Sequence, residues 1–310
     1  NPNGSCGAGV PSAGNAVDTS KPTKVVGTGT PASCTFAALN AAVTAGGIIT
    51  FDCGASPATI AITATMNLPI DKDTVIDGGG LVTLDGQNAV EILRFDSPNW
   101  RATDTTVTLQ HLAFVNAKTN PTQAIPTAPA PCSQGFDDGE GGAIFMRDGN
   151  LVVIDSIFLN DHAAPLGPDT GGGAIYIEGS KRGALVVKST FQNDTGSNAA
   201  AIGGLNAALA VYDTLVDGNV ATGHDANNDD PNKCSVMNNG QNEIGSGGNG
   251  GGIYADGNDF DVTLCGDAIT NNAAGTNAFG GGIFFTSDNW TGVLSIVDST
   301  EIGRASCRER

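Results

Sequence analysis

The chain has 310 residues, a formal net charge of −18 at pH 7 and only 15% charged side chains. This charge argues against nucleic acid and anionic membrane surfaces as partners, because both are bound by clustered Lys and Arg. No apolar run approaches the roughly 18 residues of a membrane-spanning helix, so no membrane span is predicted. The 44 glycines and the regular short hydrophobic runs favour an all-β protein with many turns.

The first regular element is a predicted helix at residues 34–45. Ser33 is a good N-cap, and the following Ala and Leu residues favour helix. Phe36, Leu39 and Val43 fall on one helical face. A single amphipathic helix ahead of a repeat array is what a solenoid needs to cover its open end, so we interpret this one as an N-terminal cap.

Short β-rich stretches follow, and after residue 140 they become a repeat. A double glycine opens a strand about every thirty residues, and a second apolar stretch comes after a short polar gap. Each second stretch leads to an Asn or Asp at a bend, where side chains can hydrogen-bond from coil to coil. Such units cannot bury their apolar faces alone and must stack. The double-glycine copies lie at residues 141–145, 172–176, 251–254 and 281–284, with a weaker copy at 201–205.

The pairing of Gly-Gly-Ala-Ile with Phe-x-Asn or Phe-x-x-Asn resembles the polymorphic outer-membrane-protein repeats. It is also similar to secreted bacterial proteins described as right-handed parallel β-helix repeat proteins. The resemblance implies an all-β fold, a single right-handed parallel β-helix with the N-terminal capping α-helix. It also implies an exported or cell-surface bacterial protein. The group includes adhesins, and other right-handed β-helices are polysaccharide lyases and hydrolases, so the fold does not fix the function.

The chain divides into a lead-in, a repeat domain and a tail. Residues 1–23 have no periodicity and predict an irregular lead-in, whereas residues 24–300 form the predicted β-helix domain. The stretches 118–140 and 222–249 break the repeat and predict protruding loops. Residues 301–310 have no β period and predict a non-native tail such as translated adapter read-through. The natural chain would then continue, and its last coil here would be open to end-to-end association.

Seven cysteines are spread along the chain without any Cys-x-x-Cys pair, which favours disulfides in an oxidising compartment over a zinc site. The connectivity cannot be deduced from sequence alone. Two of the predicted pairs flank a local unit, and the third joins the remaining cysteines, with Cys307 left over. The predicted pairs are Cys34–Cys53, Cys234–Cys265 and Cys6–Cys132.

Acidic residues around the first full repeat are candidates for glycosidase chemistry. Asp138 and Glu140 precede the repeat, and Asp169 comes from the next coil. Coils about 4.8 Å apart can place carboxylates from neighbouring coils at the roughly 5–9 Å that glycoside hydrolysis uses. Arg147 is a candidate base for lyase chemistry beside bound calcium. The alternative is that these are ordinary turn residues, which Asp populates by default.

Three further side chains are candidates for binding substrate. Trp100 and Trp290 are the only tryptophans, and both follow an Asn in a predicted loop. Each is a candidate sugar platform, while a Trp that closes a turn is the alternative. His162 lies one coil from the acidic candidates, although a lone His is more often structural than catalytic.

A candidate calcium site lies in the second loop. Asp225, Asn227 and Asp229 have the Asp-x-Asn-x-Asp spacing of a calcium loop. The pattern then fails, because Asp230 replaces the expected Gly and Val236 replaces the expected Glu. A solvated acidic loop is the alternative, so calcium is the candidate cofactor and no other is indicated.

Two functions remain open. The first is an exported or cell-surface protein in adhesion or extracellular glycan binding, with a polysaccharide or host cell-surface glycan as partner. The second is a polysaccharide-degrading enzyme, either a glycoside hydrolase or a lyase, that uses carboxylates on one face of the β-helix. A groove lined by acids and an aromatic between the two loops would favour the enzyme, whereas a smooth face would favour the binding protein.

Overall fold

The computed structural model describes residues 4–122, 138–167, 169–226, 237–238, 241–242, 247–302 and 306–307. Most of these residues lie in or between short strands, and the described part contains one α-helix, α1, Phe36–Ala45. The predicted loops 118–140 and 222–249 lie largely outside the described residues. None of the described helices has the length and apolar character that a membrane crossing needs.

Three parallel ladders of strands, A, B and C, run along the molecule. Ladders A and B belong to one 15-stranded sheet, because the long strands Thr74–Asp85 and Thr106–Val115 pair in both of them. Ladder C is a separate 8-stranded sheet. Each strand pairs in parallel with the equivalent strand of the next coil, as Ile157–Leu159 does with Thr190–Gln192. The arrangement is solenoid-like and compatible with a parallel β-helix.

The strand bounds show one strand per ladder in each of the later coils. Ladder A contains Lys24–Val26, Gly47–Phe51, Thr74–Asp85, Thr106–Val115, Asn150–Ile154, Gly183–Val187, Leu209–Tyr212, Val262–Cys265 and Leu294–Val297. Ladder B adds Ala58–Ala61, Ile157–Leu159, Thr190–Gln192, Leu215–Asp217, Ala268–Thr270 and Thr300–Ile302 to the second halves of the two long strands. Ladder C contains Met66–Asn67, Leu93–Asp96, Ile144–Arg147, Ile175–Glu178, Ile202–Leu205, Ile253–Asp256, Ile283–Phe285 and Ser306–Cys307.

Smaller elements complete the description. Thr195–Gly196 pairs in parallel with Val220–Ala221, and Met237–Asn238 pairs antiparallel with Gln241–Asn242. Two short 3-10 helices cover Ser12–Gly14 and Pro31–Ser33.

The core runs between the ladders as columns of like residues. In ladder B, Phe114, Phe158 and Phe191 are fully buried and stack with ring centroids 4.8 Å and 4.6 Å apart. Val216 and Ile269 continue the column in the next two coils. The stacking follows from the parallel register, which places equivalent side chains of successive coils directly beside one another.

Helix α1 lies at the N-terminal end of the ladders, beside Lys24–Val26 and Met66–Asn67. Leu39 and Val43 are buried, as the one-sided apolar pattern predicts. The N-cap differs from the prediction, because Ser33 belongs to the preceding 3-10 helix. Thr35 caps α1 instead, and its hydroxyl accepts a hydrogen bond from the Ala38 N–H at 3.3 Å.

Residues 4–23 form an ordered N-terminal strap that crosses the coils on the ladder A side. Near its start, the Gly7 N–H donates to Asp298 Oδ2 at 2.9 Å. Further along, the Val17 N–H donates to Gln110 Oε1 at 2.9 Å. Gly14 packs closely against Val187 in a middle coil. The strap therefore runs from the last described coil back towards the first.

The strap carries one cysteine of the two described disulfides. Cys34 is bonded to Cys53, the predicted local pair. Cys6 is bonded to Cys265, so the predicted Cys6–Cys132 and Cys234–Cys265 pairs are wrong. The strap carries Cys6 across the coils to the C-terminal end of Val262–Cys265, where the Cys6 N–H also donates to Asp213 Oδ1 at 2.7 Å. Cys132 and Cys234 lie outside the described residues.

Part of the predicted tail pairs with the ladders. Thr300–Ile302 extends ladder B, and Ser306–Cys307 extends ladder C. Residues 301–302 and 306–307 thus continue the parallel register, while the non-native origin of residues 301–310 stays a prediction.

Candidate functional site

The outer face of ladder C carries two columns of aromatic and charged side chains. Alternation along a strand sends Ile144 and Met146 into the core and turns Phe145 and Arg147 to the other face. The parallel register repeats this in every coil. One column contains Arg94, Phe145, Tyr176, Gly203, Tyr254 and Phe284. The second column contains Asp96, Arg147, Glu178, Leu205 and Asp256.

Ion pairs join neighbouring coils on this face. Arg147 pairs with Glu178 through Nε and lies 3.5 Å from Asp96 through its NH1 nitrogen. The guanidinium of Arg94 lies 4.3 Å from the centre of the Phe145 ring and pairs with Asp96 at 3.5 Å. Arg147 therefore contacts carboxylates of both neighbouring coils, and its role as a lyase base stays a prediction.

A cleft of about 350 Å³ opens at the N-terminal ends of the first ladder C strands. Its charged lining is Glu91, Arg94, Lys118 and Asp138. Glu91 is buried, and both of its carboxylate oxygens lie 3.2 Å from Arg94 NH1. Burial raises the pKa of Glu91 to about 8 and outweighs the opposing attraction of Arg94. The remaining described lining residues are Thr65, Asn67, Ala89, Val90, Thr119, Asn120 and Thr122, with no aromatic among them.

The predicted acidic residues are only partly brought together. Asp138 lines the cleft, and its Oδ2 accepts hydrogen bonds from the Thr122 N–H and hydroxyl at 2.7 Å and 2.8 Å. Glu140 is buried, and it lies near Tyr176 together with Asp169. The Tyr176 hydroxyl donates to the backbone carbonyl of Asp169 at 2.7 Å. Burial first, and then these carboxylates, raise the pKa of Tyr176.

Glu91 was missed by the sequence reasoning. It is the one acid in the apolar stretch Ala-Val-Glu-Ile-Leu, and a charged residue there is a signal of a buried carboxyl. Of the predicted acidic residues, only Asp138 lies in the cleft, whose other charged residues come from coils before the first full repeat.

A second site, the tryptophan edge, is formed by the turns that follow the ladder C strands. Trp100 is 51% exposed, and a Cβ placed on Gly179 would collide with its indole ring. The ring therefore rests on the backbone of a turn two coils further along the stack. Trp290 is 65% exposed and lies in the turn after Ile283–Phe285. Both predicted sugar platforms are thus solvent-accessible and lie at the opposite strand ends from the cleft.

Arg101 joins the turns between the two tryptophans. Its guanidinium donates to the carbonyl of Asn206 at 3.0 Å, and to those of Asn258 and Asp259 at 2.7 Å each. Asp259 Oδ1 then accepts from Asn289 Nδ2 at 2.7 Å, directly before Trp290. These contacts span the three coil steps from Gly179 to the turn of Trp290. At about 4.8 Å per coil, the turn beneath the Trp100 ring and the turn that carries Trp290 lie roughly 14 Å apart along the edge.

The other predicted ligands have local partners. His162 Nδ1 lies 2.8 Å from Thr195 Oγ1, and burial followed by Lys118 lowers the pKa of His162, which favours a neutral ring between coils. Asp225 contacts His224 Nδ1 at 2.8 Å, and hydrogen bonds from Asn277 and His224 lower the pKa of Asp225. Asn227 and Asp229 lie outside the described residues. Within the described ranges, no group of three or more His, Cys, Asp or Glu side chains is placed to hold a metal.

No protein-family model matches the chain, and no curated protein or solved structure matches it either. The class is therefore defined by the fold itself: a mostly parallel, solenoid-like β protein with two disulfides. The cleft and the tryptophan edge are its two candidate sites.

Proposed function

We propose that the chain is a right-handed parallel β-helix of an exported or cell-surface protein that binds an extracellular glycan along the tryptophan edge. The observation that carries the proposal is the alignment of two exposed tryptophans, Trp100 and Trp290, by the contacts of Arg101. Indole rings present flat apolar faces with a polar N–H, which suits stacking against sugar rings. The Asn and Asp side chains between them supply donors and acceptors for hydroxyl groups.

The spacing of the tryptophans and the net charge of the chain indicate which class of glycan would bind. Platforms roughly 14 Å apart suit an extended oligosaccharide better than a single sugar. The net charge of −18 disfavours a polyanionic chain and favours a neutral glycan. The two disulfides and the resemblance of the Gly-Gly-Ala-Ile repeats to secreted bacterial β-helix proteins support export.

The test is titration calorimetry against neutral and acidic oligosaccharides of increasing length. We expect a neutral glycan to bind, with affinity that rises with length until both tryptophans are covered. Trp100→Ala and Trp290→Ala should each weaken binding about tenfold or more, as expected of exposed aromatic anchors. Leu81→Ala is the matched control, because Leu81 is an exposed apolar residue away from this edge. Wild-type affinity in both Trp variants would contradict the proposal.

A second candidate function is glycoside hydrolysis in the cleft, and a specific observation favours it. Glu91, with its pKa raised to about 8, and Asp138 line the same cleft. A protonated Glu91 would donate its proton to the leaving oxygen, while Asp138 would act as base or nucleophile.

This candidate is tested by assaying a polysaccharide panel for new reducing ends and for unsaturated products, with and without calcium. Glu91→Gln should lower kcat by roughly 10²–10⁴ if Glu91 is the general acid. Trp100→Ala should leave both KM and kcat unchanged, because Trp100 lies at the opposite strand ends from the cleft. Absence of any product under both conditions would exclude the enzyme and leave glycan binding as the function to test.

A further inference from the structure

A column of buried polar side chains follows ladder B, with one rung in each coil. Each rung accepts, on its Oδ1, the backbone N–H of the rung before it. The Ala117 N–H donates to Asp161 at 2.7 Å, and the next three contacts in the column are each 2.9 Å. The four acceptor rungs are Asp161, Asp194, Asn219 and Asn272.

The second side-chain atom distinguishes the two halves of this column. Asn219 Nδ2 donates to the Phe191 carbonyl at 3.2 Å, and Asn272 Nδ2 donates to the Val216 carbonyl at 2.8 Å. In both cases the accepting carbonyl belongs to the residue three positions before the rung of the preceding coil, which is Asp194 for Asn219 and Asn219 for Asn272. Asp161 Oδ2 and Asp194 Oδ2 are buried without a hydrogen-bond partner. A carboxylate cannot donate a hydrogen bond, whereas a protonated carboxyl can.

In a second column, hydroxyl side chains donate to backbone carbonyls, and one Asp takes the place of a hydroxyl residue. Ser189, Thr214 and Ser299 each donate to the carbonyl two residues earlier in their own coil, at 2.9–3.0 Å. Asp267 occupies the rung between Thr214 and Ser299, where its Oδ1 accepts the Thr214 N–H at 2.8 Å. Its Oδ2 is buried and has no hydrogen-bond partner. The carbonyl two residues earlier is that of Cys265, and a protonated Asp267 would donate to it as the hydroxyl groups do.

The surroundings disfavour charge on all three carboxyls. Asp85 and Asp194 are the charged groups that face Asp161, Asp161 faces Asp194, and Asp213 faces Asp267. These side-chain neighbours are acidic, and no described cation forms an ion pair with any of the three. Backbone N–H groups at each carboxyl, and the chain's amino group acting on Asp267, lower the pKa by less than burial raises it. The adjacent His162 is held by Thr195, and its pKa is lowered. Ionisation would thus bury an uncompensated charge beside another acid, which is costly.

We propose that Asp161, Asp194 and Asp267 are neutral carboxylic acids in the folded chain, each donating its hydroxyl hydrogen to a ladder carbonyl. By the geometry of the asparagine rungs, the acceptors are the Phe114 carbonyl for Asp161 and the Phe158 carbonyl for Asp194. The three carboxyl protons then form hydrogen bonds that stabilise the coil stack, so the free energy of unfolding depends on pH.

The direction of the dependence follows from the pKa shifts. Burial raises the pKa of Asp161 and Asp194 well above 3.8, and it raises the pKa of Asp267 to about 7. The folded state therefore binds more protons than the unfolded state between pH 3.8 and these values. The contribution of these groups is fully present below pH 3.8 and is lost as the pH rises, through about 7 for Asp267.

The test compares thermal unfolding at about pH 5 and about pH 9 for the full chain and for Asp161→Asn, Asp194→Asn and Asp267→Asn. An amide donates at either pH, so each variant should melt roughly 4 °C or more above wild type at the higher pH. Near pH 5 the difference should be smaller or absent. Asp155→Asn is the matched control, because Asp155 is an exposed turn residue beside the second column. Equal destabilisation by the buried substitutions at both pH values would overturn the proposal.

A second measurement does not depend on how well the variants fold. Infrared difference spectra at neutral pH should show the carbonyl stretch of protonated carboxyl groups in the folded wild type, and also in folded Glu91→Gln, which removes the contribution of Glu91 with its raised pKa. Base-induced unfolding should remove that band, because exposed carboxyls ionise. A folded wild type without the band would refute the proposal on its own.

Discussion

Two segments cross the coils of this molecule, and they do so in different ways. The N-terminal strap is fixed by the Cys6–Cys265 disulfide and by close packing, as at Gly14. The edge loop, residues 97–103, is held by hydrogen bonds to Asp148 and by the guanidinium of Arg101, which reaches carbonyls in the turns of two other coils. The strap lies over buried residues such as Gln110 and Val187, whereas the loop leaves the Trp100 indole half exposed.

The difference indicates a structural role for the strap and a binding role for the edge loop. Ladder hydrogen bonds in a repeat stack connect only neighbouring coils, so a segment that crosses many coils couples parts that otherwise act independently. A covalent link does this most strongly, which fits the strap to a structural role. A single side chain couples fewer coils and keeps an aromatic surface open, which fits the edge loop to a binding role.

The largest expected effect comes from releasing the strap. Cys6→Ser with Cys265→Ser opens a cross-link that spans 259 residues, which should cost about 5 kcal/mol of unfolding free energy in the chain-entropy model. Removing Cys34–Cys53, which spans 19 residues, is the matched comparison and should cost about 3 kcal/mol. Urea unfolding measures both. A smaller loss for the long link would mean that the strap does not couple the coils.

The sequence predicts the ladders well because their signal is periodic. Phe114, Phe158 and Phe191 align in the repeat, and their rings stack in the structure. The strap could not be predicted in the same way. It has no period, and its contacts are single hydrogen bonds over long separations, such as Gly7 to Asp298. Nothing local to Cys6 indicates that the strap carries it to Cys265.

The next effect comes from loosening the edge loop. Arg101→Ala removes donors to three carbonyls and should lower the free energy of unfolding by roughly 2–3 kcal/mol. Glycan binding should fall about tenfold or more, because Trp100 loses its fixed position. Arg101→Lys is the matched control, since it keeps the charge but not the planar fork, and should recover only part of both losses. Calorimetric binding at a temperature where all variants are folded measures the second effect.

The contacts of Arg101 could not be predicted from the sequence. The tryptophans could be proposed from the sequence because exposed aromatics suit sugars. The acceptors of Arg101 are backbone carbonyls of Asn206, Asn258 and Asp259, and a backbone carbonyl leaves no mark in a sequence. The cleft was missed for a related reason, since Glu91 meets Lys118 and Asp138 only through the path of the coils.

A smaller change tests whether Trp100 must rest on the turn that contains Gly179. Gly179→Ala places a Cβ where the indole ring lies and also strains a backbone at φ +52°. The strain should cost about 1 kcal/mol, and the displaced ring should weaken glycan binding severalfold. Gly80→Ala is the matched control, because Gly80 has φ +73° with nothing near its Cβ position. Equal binding by the two variants would show that the ring position is irrelevant.

The smallest effect on stability should come from substitutions of Trp290, where the comparison of Gly with Ala shows whether the native backbone is strained. Trp290 adopts φ +62°, a left-handed conformation that is unfavourable for a bulky residue and is typical of functional turns. Trp290→Gly relieves this strain, whereas Trp290→Ala keeps it, so the Gly variant should be more stable than the Ala variant by about 1 kcal/mol. Both should bind glycan equally weakly, because both lack the indole. That combination would show that the edge holds Trp290 in place at a cost to stability, the reverse of what the strap does. An Ala variant as stable as the Gly variant would mean that Trp290 carries no such strain.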